Sequence, residues 1–307
     1  MMGTADRLRH VGIVILNWNQ PGDTIACLES LQRLDYPSYE VVVVDNGSED
    51  SSPELIRRRF PRITVIENGS NLGFAAGNNV GISHLMRGNA AYVLLLNNDT
   101  EVAPDFLSVL VEEGENRPEV GVLGPKIYYY DPSNVIWSAG GRVDRYGRAR
   151  HLLVDEVDDG APQPVVDVDY VTGCAILVKR QVIERVGVLN ERFFIYFEET
   201  EWCARARRAG FRVLYVPRSH VWHKIEQTAR NQSRRYLYLM ARNRLLYLKC
   251  SGASPWIILV ASLDLLRTAA SWALRPKHRD KRVFSGALTR GVRDFAMGRF
   301  GAPPARP

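Results

Sequence analysis

The sequence predicts an α/β fold: an open, doubly wound, mostly parallel sheet with a helical C-terminal extension. Two observations carry that expectation. Over the first 120 residues, short runs that are apolar throughout alternate with helical stretches, and three of those runs end in loops of the same kind. Strands with no polar face need helices on both sides, the condition of a parallel sheet. Ligands in such sheets gather beyond the carboxyl ends of the strands.

Val11–Leu16 (VGIVIL) reads as the first strand, and Pro21–Leu34 as a helix with Ile25, Leu28 and Leu31 on one face. Glu40–Val44 is a second strand, followed by a Ser/Pro helix start and Leu55–Phe60. Strand Ile63–Glu67, helix Ala75–Leu85 and strand Ala91–Leu96 repeat the pattern. Beyond residue 120 the alternation becomes irregular. Gly121–Tyr130, Val165–Val178 and Phe211–Val216 read as strands, residues 140–150 (GGRVDRYGRAR) as a hairpin or flexible loop, and the chain as helical from about Ala229.

The three strand ends are NWN (17–19), DNGSEDSS (45–52) and NNDT (97–100), all dense in Asn, Asp and Ser. Neither GxGxxG nor GxxxxGK[ST] follows the first strand, which argues against a dinucleotide site or a phosphate loop of the usual kind. A nucleotide bound here would need its phosphates neutralised by other means, and a divalent metal would serve. Asp99 with its amide neighbours suits such a hard cation. It equally suits the start of the helix after VAPDF, with Pro104 in the first turn.

A second cluster, FFIYFEETEWCARARR (193–208), crowds Glu198 and Glu199 beside aromatic residues. An apolar wall raises a carboxyl toward the range a general base needs near neutral pH, although acids also favour helix N-termini. Glu201 and Arg205 make an ordinary i,i+4 pair. His220 and His223, in VPRSHVWHK (216–224), are imidazoles that either rest in solvent or join Asp99 at a metal.

Five segments, VVVVDNGSEDSS, NLGFAAGNN, LLLNNDTEV, YVTGCAILVKR and LNERFFIYFEETEWCARARRAGF, occur in that order over roughly residues 9–250. Together they closely resemble the inverting glycosyltransferases of family 2, with the Rossmann-like GT-A fold, and especially their rhamnosyltransferase and galactofuranosyltransferase branch. The resemblance implies a catalytic region over 1–228, its nucleotide-binding part about 9–120 and its acceptor part about 121–228. It implies that Asp45 accepts a hydrogen bond from the donor's base, that Asn17 and Trp18 line the base and ribose pocket, and that Asn78 and Asn98 lie near the donor. Asp99 matches the last acid of the family's DxD motif, with Asn97 in its first position, and His223 matches the histidine that completes the metal shell. Glu199, with Glu198 beside it, matches the catalytic base, usually Asp in the family's ED pair. Thr172–Gly173–Cys174 would floor the site where sugar and acceptor meet. The implied cofactor is Mg²⁺ or Mn²⁺, the donor a dTDP- or UDP-sugar, and the acceptor a glycan or polyprenyl-linked glycan of the cell envelope. A non-catalytic relative and a nucleotidyltransferase are the competing classes.

Residues 229–307 form the helical extension. Residues 224–307 carry 17 Lys+Arg against 4 Asp+Glu, a local +13, whereas the other 223 residues carry 23 against 30, a local −7. A basic tail on an acidic-leaning body points to a polyanion, and the lack of a recognised binding module favours anionic lipid over nucleic acid. Residues 256–274 are long enough to span a bilayer but hold Asp264 and Arg267 in mid-run. With Thr268, Ser271 and Arg275 these make a polar stripe, the pattern of a helix lying in the membrane interface with Trp256 and Trp272 near the headgroups, or of one packed on the body. The polybasic RPKHRDKR (275–282) follows. Four scattered cysteines and a start without an apolar run lead us to expect a reduced cytoplasmic setting, at the inner face of the plasma membrane.

Overall fold

The computed structural model describes residues 8–225 and 233–304. The expected catalytic boundary at 228/229 and the helix onset at Ala229 lie outside those residues.

Strand β1 (Val11–Asn17) is followed by α1 (Pro21–Leu31), β2 (Tyr39–Asp45), α2 (Ser52–Arg59), β3 (Thr64–Glu67), α3 (Gly73–Leu85) and β4 (Tyr92–Asn97). These four strands pair in parallel in the order β3-β2-β1-β4. Alternate residues of β1 feed two cores. Val11, Ile13 and Ile15 pack with α1 and α2, while Val14 faces α3. Helix α3 comes so close to β1 that a Cβ on Gly81 would lie 2.4 Å from Val14 Cγ1, and one on Gly77 would lie 2.6 Å from Leu16 Cδ1. The chain winds outward from β1 to β3, then crosses to the other side of β1, which makes the gap between β1 and β4 the topological switch point.

Beyond β4 come β5 (Thr100–Val102), α4 (Phe106–Glu115), β6 (Val120–Tyr129), β7 (Ile136–Ser138), the hairpin of β8 (Gly141–Val143) with β9 (Ala149–His151), β10 (Val166–Asp167), β11 (Ala175–Lys179), α5 (Arg180–Val186), α6 (Glu198–Arg208) and β12 (Arg212–His223). This half of the sheet is mixed. Strand β11 runs antiparallel to both β4 and β6, and β12 runs parallel to β6. No helix crosses over between β6 and β11, so the chain is free to return in the opposite direction.

Two strand expectations are corrected. The run 165–178 is two strands, not one, because Asp169 turns its carboxylate to the Val143 amide (2.9 Å) and to Arg207 (2.7 Å), taking the chain off the sheet edge before Gly173. The last strand runs seven residues past Val216. A register shift between Val216 and His220 accommodates Pro217, which has no N–H for the ladder, and β12 then continues to His223.

Three helices close the chain: α7 (Arg234–Cys250), α8 (Pro255–Leu274) and α9 (Arg282–Ala296). Ser233 and Ser254 cap the first two, and Pro255 occupies the first turn of α8. They share an apolar core of Ala241, Leu245, Ala261, Leu265, Ala269 and Leu288. Of the two arrangements expected for α8, its Asp264 side takes the packed one. Asp264 turns inward, 2.7 Å from an Arg148 nitrogen and 3.3 Å from an Arg244 nitrogen, because those guanidinium groups need a carboxylate. The polar stripe is thereby split, and the outward face carries Trp256, Leu259, Leu263, Leu266, Ala270 and Leu274 with one charge, Arg267, among them, Trp256 being 69% exposed.

Candidate active site

Two adjoining clefts of about 330 and 410 Å³ lie at the switch point and share the walls Phe74, Asn97, Tyr196 and Tyr236. Trp18, Asn46, Asn71, Asn98, Asp99 and Arg235 line the smaller one. Trp137, His151, Gly173, Glu198, Glu199 and His223 line the larger. Both Asp99 and the glutamate pair thus open onto a common trough.

Asp99 does not cap a helix. The residues after it form β5, and α4 begins only at Phe106 with Asp105 before it. Strand β5 pairs antiparallel with the end of β12, His223 opposite Thr100, and the Lys224 amide donates to the Asp99 carbonyl at 2.8 Å. That register brings His223 Nε2 within 3.1 Å of Asp99 Oδ1. The contact falls outside hydrogen-bond geometry, which leaves Asp99 Oδ1 buried without a hydrogen-bond partner, and His223 Nδ1, the other ring nitrogen, is buried without one as well. Burial would raise the Asp99 carboxyl, but the contact with His223 and its charge hold it below the usual carboxylate range. Burial would depress the imidazole, but Cys174 and Asp99 oppose this and push it up to about 10. An orphaned carboxylate oxygen beside an imidazole, with Trp137 edge-on to the ring at 4.7 Å, fits a divalent cation that displaces the proton. No third His, Cys, Asp or Glu joins them among the described residues. The remaining positions would fall to water and donor oxygens, as Mg²⁺ and Mn²⁺ sites commonly allow.

Glu198 and Glu199 begin α6. The helix dipole favours their anions there, but burial wins. Burial first, and then the neighbouring Glu199 charge, raises the Glu198 carboxyl well above its usual value, while burial alone raises Glu199. Glu198 Oε2 has no hydrogen-bond partner, so Glu198 is the member that keeps a proton longer. Glu199, the more open of the two, faces the cleft. Gly173 lies against it: a Cβ there would sit 3.1 Å from the Phe74 ring and 3.7 Å from Glu199 Cβ. Glu201 is structural as expected, gripped by Arg205 Nε at 2.9 Å from both carboxylate oxygens.

Three residues expected at the donor line neither cleft. Asn17 is fully buried and its amide is spent on Asp45 (2.7 Å), Ser48 (3.1 Å) and the Thr24 hydroxyl (2.6 Å). Asp45, 2% exposed, accepts from Asn17, the Ser48 hydroxyl (2.6 Å) and the Ser48 amide (2.9 Å), and lines neither cleft. Asn78 turns back along its helix to the Phe74 carbonyl at 2.9 Å, also away from both clefts. These residues brace the loops. The ones that reach the cleft from the same segments are Trp18, Asn46, Asn71 and Gly73. His220 is likewise outside the site, its Nε2 3.0 Å from the Pro217 carbonyl.

Several cleft residues carry no signal in the sequence. Arg235, on α7, points its guanidinium over the Phe194 ring at 5.6 Å and adds positive charge to the donor-side cleft. Its value follows from α3, whose N-terminal amides are already taken: Leu72 N–H by Asn46 Oδ1, Gly73 N–H by Asn71 Oδ1 and Ala75 N–H by the Phe194 carbonyl. Three amides at that helix end are therefore already held by protein and are not offered to an anion. On the other side, His151 and Trp137 stand 5.1 Å apart, and burial pushes His151 down to about 4, so it presents a neutral ring. The β8–β9 hairpin that delivers it is the stretch read as a hairpin or flexible loop.

Known proteins share this architecture. The rhamnosyltransferase of Mycobacterium tuberculosis that acts on N-acetylglucosaminyl-diphospho-decaprenol is 27% identical over 225 residues, 66% of this chain and 73% of its own. The dTDP-rhamnosyl transferase of Shigella flexneri is 24% identical over 218 residues, 69% of this chain and 68% of its own. A mannosyltransferase from Pyrobaculum calidifontis, solved with GDP-Man and Mn²⁺, superposes with a TM-score of 0.60 over 95% of this chain and 88% of its own, at 17% identity, a likeness of fold alone. The sequence profile described as glycosyl transferase family 2 matches residues 12–187, more than half the chain. The protein therefore belongs to glycosyl transferase family 2.

Proposed function

We propose that this glycosyltransferase is inverting and metal-dependent, and that it moves rhamnose from a dTDP- or UDP-linked donor to a polyprenyl-linked or polysaccharide acceptor of the cell envelope. One observation carries the reading: the Asp99–His223 pair, whose Asp99 Oδ1 has no hydrogen-bond donor, and a buried glutamate pair face a common trough at the switch point of the sheet. Glu199 takes the proton from an acceptor hydroxyl. That oxygen attacks the anomeric carbon in line, and the bond to the nucleoside diphosphate breaks with its electron pair on the departing phosphate. A divalent cation held by Asp99 and His223 would supply the positive charge that stabilises the leaving group. Arg235 adds charge on the donor side, Trp18 offers its exposed indole to the base or ribose, and Gly173 gives the sugar room beside Glu199. The sugar is chosen from the rhamnosyltransferase relatives.

A panel of dTDP-, UDP- and GDP-sugars with Mn²⁺ tests the reading. Nucleoside diphosphate released from dTDP-rhamnose, with the sugar transferred to a lipid-linked acceptor, is the expected result. Release of inorganic diphosphate instead would mark a nucleotidyltransferase, and absence of turnover with every donor a non-catalytic relative.

The same reading places the enzyme at the cytoplasmic face of the plasma membrane. The outward face of α8 is apolar apart from Arg267, and Lys277, Arg279, Lys281 and Arg282 follow it, so hydrophobic insertion and attraction to anionic headgroups act together. In flotation with phosphatidylglycerol vesicles, the protein should rise with lipid, and the Leu259→Glu/Leu263→Glu variant should stay below. Equal flotation of the two would remove the membrane from the proposal.

A further inference from the structure

The loop that delivers the glutamate pair is folded against the preference of its own residues. Phe194, Tyr196 and Phe197 have φ of 67°, 72° and 76°. Bulky residues are strained in that region and persist only where their surroundings over-determine them. Those surroundings converge on one amide. Asn243, fully buried on α7, donates from Nδ2 to the carbonyls of Phe193 (2.9 Å), Ile195 (2.9 Å) and Tyr196 (2.8 Å). Arg242 fixes the orientation of that amide: its Nε donates to Asn243 Oδ1 at 3.0 Å, and its Nη2 donates to the Phe193 carbonyl at 3.1 Å. Phe193 and Phe197 pack on Leu246 one turn further along. Glu198 follows Phe197 directly, so the held carbonyls end two residues before the first carboxyl.

We propose that Asn243 is a positioning residue: from a helix beyond the family-matched segment, it holds the strained loop that aims Glu199 at the acceptor hydroxyl. The inference rests on Glu199 being the base. Its physical content is that a side-chain amide substitutes for secondary structure. Without it, the Ile195 and Tyr196 carbonyls lose their donor and Phe193 keeps Arg242 alone as a side-chain donor, the left-handed residues relax toward ordinary φ, and the start of α6 shifts. A misplacement of about 1 Å at a reacting group costs on the order of 10²-fold.

The test compares kcat, donor KM and nucleoside-diphosphate affinity in Asn243→Ala, Tyr238→Phe and Glu199→Gln. Asn243→Ala should lose about 10²-fold in kcat with donor affinity within a few-fold of wild type, the split expected of misaimed chemistry. The acid limb of its kcat profile should move down toward the ordinary carboxylate range as water reaches the carboxyls. Tyr238→Phe removes the hydrogen bond to Asp294 that ties α7 to α9 (2.9 Å) and the hydroxyl beside Arg242, but leaves the Asn243 amide and the loop carbonyls in place, and should keep wild-type kcat. Undiminished kcat in Asn243→Ala, or an equal loss in Tyr238→Phe, overturns the assignment. Should Asn243→Ala fail to fold, Asn243→Ser keeps one donor in place: a partial loss of kcat supports the role, and none overturns it. An active Glu199→Gln would remove the base itself, whereas an inactive one beside an active Asn243→Ala removes only the clamp.

Discussion

Glu199→Gln should lose about 10²–10⁴-fold in transfer while still binding donor, the range one general base contributes. Glutamine keeps the shape and polarity of the side chain but accepts no proton. The pH profile gives a second readout. Burial raises Glu199, so it stays protonated to higher pH than an ordinary glutamate, and only its ionised form can act. Activity should therefore rise with pH through a value above the usual carboxylate range. Glu198 is raised well above its usual value, by burial first and then by the charge of its neighbour. Measured kcat against pH in wild type and Glu199→Gln decides it. Full transfer by the glutamine variant would transfer the role to another group.

Asp99→Ala should remove the metal dependence of donor binding. Among the described residues Asp99 is the one carboxylate in contact with His223, and without it the imidazole has only water and donor oxygens to share a cation with. A Lewis-acid cation supplies several kcal/mol to a departing phosphate, and about 3 kcal/mol corresponds to roughly 10²-fold in kcat/KM. Titrating nucleoside diphosphate by calorimetry with and without Mn²⁺ measures the effect independently of turnover. Wild type should bind more tightly with the ion and Asp99→Ala equally with and without it. A metal effect that survives the substitution would place the cation elsewhere.

The residues legible in the sequence are those whose chemistry and position coincide. Asp99, His223, Gly173 and the glutamate pair sit at strand ends or at the start of a helix, where short-range pattern already fixes direction, and all of them reach the trough. Asn17, Asp45 and Asn78 show the limit. A loop amide looks the same whether it faces a ligand or its neighbour, and only the fold reveals that Asp45 is consumed by Asn17 and Ser48. Arg235, Asn243 and His151 were invisible for another reason: their partners lie on other elements of the chain, and no local periodicity encodes that pairing. For α8 the sequence leaves an interfacial and a packed arrangement open, because it counts Asp264 as polar without showing that Arg148 and Arg244 wait beneath it.

The antiparallel pairing of β5 with the tip of β12 acts as a ruler. Side chains alternate faces along a strand, so one residue inserted between 220 and 223 would turn the imidazole to the opposite side and present Trp222 to the carboxylate instead. Length changes at Pro217–Ser219, where the register already slips, leave that count intact. Spacing in this tip, rather than identity at any single position, sets the distance between the two groups.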